Sequence, residues 1–105
     1  MHSMYKLEFL PIAKNDMLEI VRYIGGELQN PVAAERLAEK MIAAAEELCQ
    51  FPYAHQVYIP IKPLKNEYRR VLVGNYFLFY TVDERKKTVT VMRVIYATRD
   101  LEKQV

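Results

Sequence analysis

The chain has 105 residues, 51% of them hydrophobic, a formal net charge of +2 and a single cysteine. That length makes one domain with a modest core, and the hydrophobic share excludes an intrinsically disordered chain. No apolar run nears the roughly 20 residues of a membrane span, and one cysteine excludes an internal disulfide and suits a reducing cytoplasm.

Tyr5, Leu7 and Phe9 alternate with Lys6 and Glu8, the pattern of a short strand buried on one side. Pro11 suits the first turn of a helix. Ala13, Met17, Ile20, Val21, Ile24 and Leu28 then recur at helical spacing and form one apolar stripe, with Gly25-Gly26 loosening the last turn. Asn30-Pro31 starts a second helix, an N-cap followed by proline at the first helical position. Its stripe is Ala34, Leu37, Ala38, Met41, Ala45 and Leu48, and its charges fall on the other face. The many alanines allow close approach, so the two helices are expected to form a hairpin. Cys49 reads as a small packed residue rather than a nucleophile. Phe51-Pro52 ends the helix, and residues 53–66, with Pro60 and Pro63, read as an extended loop in which His55 is a surface residue.

Three runs rich in β-branched and aromatic residues follow: Tyr68 to Val73, Tyr76 to Val82 and Thr88 to Tyr96. Gly74-Asn75 suits the positive φ angles of a tight hairpin turn, and residues 83–87 make a polar loop. Arg99 to Lys103 is a polar tail. The order is β-α-α-β-β-β, which predicts a single α+β domain over residues 4–105, a helical hairpin packed on a small antiparallel sheet. Ile20, Ile24, Ala34, Leu37, Met41 and Leu48 are expected in its core, against Val71, Leu78 and Val94. A two-residue turn at Gly74-Asn75 pairs Arg70 with Phe79 and Leu72 with Phe77. A loop over residues 83–87 then sets Phe77 opposite Arg93. Arg70 and Arg93 are therefore expected on one sheet face, opposite to Val71, Leu78 and Val94. Arg69 and Tyr96 fall on the helix-covered face unless they pass its rim or a bulge re-aims them, and Arg99 lies beyond the strand.

The residues restrict the chemistry. Two histidines and one cysteine are too few and too scattered for a metal set, and three glycines, two of them at 25–26, make no phosphate loop, so no metal or cofactor is expected. The lone serine is Ser3, which leaves no serine triad. What remains is arginine, lysine and tyrosine on a small sheet. Residues 1–61 hold five basic and eight acidic residues, residues 62–105 ten basic and five acidic. A basic half of this kind suits nucleic acid or an acidic protein partner, and on charge alone fits an ordinary solvated sheet face as well. Such a cluster could bind phosphates through arginine forks and tyrosine stacking. It could also cleave a phosphodiester without metal, with arginines stabilising charge and Tyr80, Tyr96 or Lys65 carrying protons. Tyr76 and Tyr80 read instead as core aromatics with solvated hydroxyls.

These segments together resemble the RelE/ParE superfamily of toxins from bacterial type II toxin–antitoxin systems. The resemblance runs from Met4 through nearly the whole chain. It is carried by Ile20-Val21-Arg22-Tyr23-Ile24, by Asn30-Pro31 with Ala33-Ala34-Glu35-Arg36-Leu37, and by Leu48 with Phe51-Pro52. Tyr68-Arg69-Arg70, Gly74-Asn75-Tyr76, Phe79-Tyr80, Val82-Asp83 and Arg93-Val94 through Arg99-Asp100 complete it. The resemblance implies the same α+β fold and a cytoplasmic, plasmid-stabilisation type of toxin. It implies a cognate antitoxin that neutralises the toxin in a hetero-oligomer, and a target in either DNA gyrase or ribosome-bound mRNA. An enzyme of this kind would be a metal-independent, ribosome-dependent endoribonuclease. Nuclease members typically place an arginine after the tyrosine that opens the second meander strand, where this chain has Phe77. They often carry a histidine or lysine near the end of the last strand, where it has Tyr96. The Asn-Pro helix start and the Arg-Asp ending look more ParE-like. The candidate catalytic residues are Arg70, Arg93 and Tyr96. The candidate target- or antitoxin-binding residues are Arg69, Arg70, Arg93, Arg99, Lys62 and Lys65. A non-toxic orphan binding module is the reading from a different class.

Overall fold

A computed structural model of the chain describes residues 5–59 and 67–98. Strand β1 (Lys6–Phe9) turns Leu7 and Phe9 inward and leaves Lys6 and Glu8 exposed. The Leu10 amide then donates to the Val91 carbonyl (3.0 Å), which fixes the start of helix α1 (Pro11–Arg22) against the sheet. Pro11 occupies the first helical position, where its missing N–H costs nothing. The expected loosening at Gly25-Gly26 is a π-helical turn over Tyr23–Glu27, with the Leu28 amide donating to the Tyr23 carbonyl at 3.0 Å. Gln29, at φ 51°, reverses the chain. Asn30 caps helix α2 (Pro31–Leu48), its side-chain oxygen accepting from the Ala33 amide at 3.2 Å; a cap of this kind is worth about 1 kcal/mol.

Strands β2 (Arg69–Val73), β3 (Tyr76–Asp83) and β4 (Thr88–Tyr96) form the expected antiparallel meander. Gly74 takes a φ of 59° in the turn, and Arg70 pairs with Phe79 and Leu72 with Phe77, as the two-residue turn requires. The sheet order is β1-β4-β3-β2, and β1 runs parallel to β4. The sheet is therefore mixed rather than wholly antiparallel.

Met41 and Leu48 of α2 are buried with Ala13, Leu78, Val89, Val91 and Val94 in the core between helices and sheet, and Ala34 is buried against the π-turn at Gly25. Ile20, Ile24 and Leu37, expected in that core, are only half-buried, because they line the open groove described below. A second, smaller cluster lies on the other side of the sheet: Tyr68, Phe79 and Ile95, with Tyr58, Phe77 and Met92 around it. Part of the expected loop supplies that cover. Val57 forms an isolated antiparallel bridge with Arg69, and the Tyr58 amide donates to the Tyr68 carbonyl at 2.7 Å. Among the described residues no helix is long and apolar enough to cross a membrane.

Candidate functional site

The β3–β4 register decides where the arginines point, and it departs from the expected one in two steps. Asp83, expected in the loop, pairs with Thr88, so the loop is Glu84–Lys87, held by the Lys86 amide donating to Asp83 Oδ1 at 3.0 Å. Further along, Tyr80 pairs with Val91 but Phe79 pairs with Arg93, which leaves Met92 as the extra residue of a β-bulge. Phe77 consequently faces Ile95 rather than Arg93.

The bulge turns Arg93 away from the open sheet face and towards α1. Its Nε donates to Asp16 Oδ2 at 2.8 Å and its Nη2 to Asp16 Oδ1 at 3.0 Å, a bidentate fork. The Val94 amide adds a third bond to Oδ2 at 3.0 Å. The side chains of Arg93 and Asp16 are only 11% and 10% exposed. The hydrogen bonds from Asp16, and then its charge, raise the already high pKa of Arg93 against the opposing effect of burial. The expectation that Arg70 and Arg93 share one face is thereby overturned: the shorter loop and the inserted residue each shift the register by one, and the bulge, which breaks the strand alternation, re-aims Arg93 to α1. Asp16 was not singled out in the sequence, although a signal was present. It sits three residues after Ala13 and four before Ile20, so a carboxylate stands inside an apolar helical stripe.

Arg69 points to the helix-covered face, beyond the helices and under the 51–59 segment. Its Nη1 donates to the His55 carbonyl at 2.8 Å, its Nη2 lies 3.4 Å from Glu67, and its guanidinium lies 5.0 Å from the centre of the Tyr53 ring. Tyr80, its cross-strand partner, is fully buried and donates to the Pro52 carbonyl at 2.8 Å. Burial pushes the Tyr80 hydroxyl up to about 12, against the lowering effect of Arg69. Tyr80 is thus a dry core tyrosine, not one with a solvated hydroxyl.

Arg70 lies on the open face. Its guanidinium is 4.1 Å from the centre of the Phe77 ring and 4.9 Å from that of Tyr58. Tyr96 is on neither arginine surface. It packs edge-on against Tyr76, with ring centres 5.5 Å apart, at the mouth of a groove. That groove, of about 870 Å³, opens between α1 with its π-turn, the start of α2 and the Gly74-Asn75 turn. Ile20, Ile24, Leu28 and Leu37 make it apolar, and the Asp16–Arg93 pair closes one end. The structure thus brings Arg93 and Tyr96 to one groove and separates both from Arg69 and Arg70. Lys62, Lys65 and Arg99 lie outside the described residues, as does the polar tail. Among the described residues no group of three metal-ligating side chains converges.

Comparison with known proteins accords with the fold. The profile of the family described as ParE toxin of the type II toxin–antitoxin system parDE matches residues 7–101. No curated protein sequence matches the chain at a significant level. Among solved structures, a chain of the chromosomal ParDE system from P. aeruginosa is similar with a TM-score of 0.70 at 14% identity, over 90% of this chain and 98% of that one. A chain of the RelBE2 toxin–antitoxin complex from Mycobacterium tuberculosis gives 0.62 at 22% identity, over 88% and 96%. One from the RelE–RelB complex of Pyrococcus horikoshii gives 0.61 at 14%, over 92% and 99%. At these identities the structures establish a shared fold. The family match, which spans nearly the whole chain, establishes the rest: this chain belongs to the ParE toxins of type II toxin–antitoxin systems.

Proposed function

We propose that this toxin arrests growth through contact with a protein target, DNA gyrase, and that its cognate antitoxin neutralises it. The observation that carries the choice of target is the dispersal of the arginines. Phosphodiester cleavage needs cations converging on one phosphate. Here Arg93 is engaged by Asp16 and Arg69 by the His55 carbonyl and Glu67, while Phe77 stands where nuclease members typically carry an arginine. A protein contact makes no such demand. The apolar groove beside α1 is the surface we assign to the antitoxin, since Tyr23 and Leu28 at its rim are 52% and 56% exposed. Induced expression with separate readouts of plasmid supercoiling, mRNA integrity and translation tests this reading. Loss of supercoiling with intact mRNA is the expected result. Early mRNA cleavage with normal supercoiling would instead identify a ribosome-dependent endoribonuclease.

A further inference from the structure

The helices cover one face of the sheet and leave the other open. On the open side strand alternation places Arg70 and Leu72 of β2 beside Phe77 and Phe79 of β3. Tyr58 folds over this row and meets Phe79 edge-on, with ring centres 5.2 Å apart. The Arg70 guanidinium lies against the rings of Phe77 and Tyr58. Aromatic contacts of this kind engage the flat faces of the guanidinium and leave its N–H donors, which lie in the plane, for another group. Among the described residues Arg70 meets no carboxylate and no carbonyl, unlike Arg69 and Arg93. A cation ordered by rings and lacking an acceptor is preorganised to take a planar anion in a fork.

The surroundings decide the kind of anion. Leu72, on the same face of β2 as Arg70, is 57% exposed, a large aliphatic side chain with nothing to offer a polyphosphate backbone. Nucleic acid also gains its affinity from several cations at once, whereas on the described part of this face Arg70 and Lys6 stand on opposite edge strands of the sheet, Lys6 with Glu8 beside it. An arginine among aromatic side chains and an exposed aliphatic one has the composition of a protein–protein hot spot. We infer that Arg70, held between Phe77 and Tyr58, receives a carboxylate of the protein on which the toxin acts, and that Leu72 packs against an apolar side chain next to that carboxylate. This rests on the protein-target reading above, and it separates the target surface from the antitoxin groove.

Purified toxin and its Arg70→Ala, Arg70→Lys and Leu72→Glu variants test it, read by thermal midpoint, by calorimetric binding to the cognate antitoxin and by dose-dependent inhibition of gyrase supercoiling. Arg70→Ala and Leu72→Glu should keep antitoxin binding and need about tenfold more protein, or more still, to inhibit gyrase. Arg70→Lys, which keeps the charge and loses the planar fork, should fall between them and the wild type. Leu72→Glu leaves the ring-held cation in place, so it reports on the face even if Arg70→Ala misfolds. Wild-type inhibition matched by an equally potent Arg70→Ala protein overturns the carboxylate contact alone, and for a misfolded Arg70→Ala an equally potent Leu72→Glu does the same. Wild-type protein that leaves supercoiling untouched overturns the protein-target reading itself. Loss of mRNA cleavage in Arg70→Ala would then reassign the arginine to a phosphate.

Discussion

Two carboxylates, one towards each end of the β3–β4 hairpin, collect three donors apiece, and they differ in almost nothing except water. Asp16 takes the Arg93 fork and the Val94 amide with its side chain 10% exposed. Glu84 takes the Tyr5 hydroxyl at 2.9 Å, the Tyr53 hydroxyl and the Lys87 ammonium with its side chain 52% exposed. Both tie distant segments together: Asp16 joins α1 to the bulge of β4, and Glu84 joins the β3–β4 turn to Tyr5 and to the 51–59 segment. Hydrogen bonds from Lys87, Tyr53 and Tyr5 hold Glu84 down at about 2. That pull nevertheless carries little stability, because solvent screens the exposed group and an equally hydrated alternative is always near. The buried pair has no such alternative. Similar bonding therefore predicts very different consequences on mutation.

The largest effect should come from Asp16→Ala, which strands the Arg93 guanidinium and costs roughly 3–5 kcal/mol. Urea unfolding measures it, and a loss below about 1 kcal/mol would remove the distinction between the two carboxylates. The contrast sharpens with Asp16→Leu combined with Arg93→Met. Replacing both charges by apolar groups should restore much of the loss, because the penalty lies in the unpaired charge and not in the missing bond.

An intermediate effect is expected for Tyr80→Phe, which deprives the buried Pro52 carbonyl of its donor and costs about 1–3 kcal/mol. It also has a pH signature. The folded Tyr80 holds its proton up to about 12, against 10.0 for an ordinary tyrosine. Its contribution is complete below pH 10 and is lost as pH rises from about 10 to about 12, where the unfolded chain ionises first. Stability measured across that window should fall less steeply in Tyr80→Phe than in the wild type.

The smallest effect is assigned to Glu84→Gln, with little change of thermal midpoint at neutral pH. Whatever difference exists should lie above pH 4.5, the ordinary value for a glutamate, and vanish as pH falls towards about 2. A depressed carboxylate stabilises the fold only where the unfolded chain is already ionised. A Glu84→Gln loss as large as that of Asp16→Ala would break the comparison from the other side.

Much of this fold was legible in the residues, and the illegible parts have a common cause. Asn30-Pro31 starts α2 and Gly74-Asn75 fixes the β2–β3 register because each acts over a few neighbouring positions, where local stereochemistry decides the outcome. The bulge at Met92 leaves no such mark, since one extra residue in a strand alters neither composition nor alternation enough to be read. Yet that residue, with a loop one residue shorter than expected, decides that Arg93 ends in a buried fork. The arginines were visible as candidates, while their partners Asp16, His55 and Phe77 lie 7 to 77 positions away, and only tertiary structure sorts paired cations from an unpaired one. Asp16 itself could have been suspected, because a carboxylate inside an apolar stripe demands a partner.

The parallel pairing of β1 with β4 has a consequence for the order of synthesis. Lys6 lies opposite Thr88 and Phe9 opposite Val91, so β1 waits for a strand made about eighty residues later. Until β4 is made, a nascent chain carries β1, α1 and α2 with no Arg93 for Asp16 and no β4 neighbour for β1. Such non-local closure is the slow step of folding in small sheets. A polypeptide released before Thr88 lacks the strand that joins both ends of the sheet, and with it the anchor of α1. Potency in this molecule is therefore withheld until β4 has cleared the ribosome, and interrupted synthesis yields fragments without the toxin's shape.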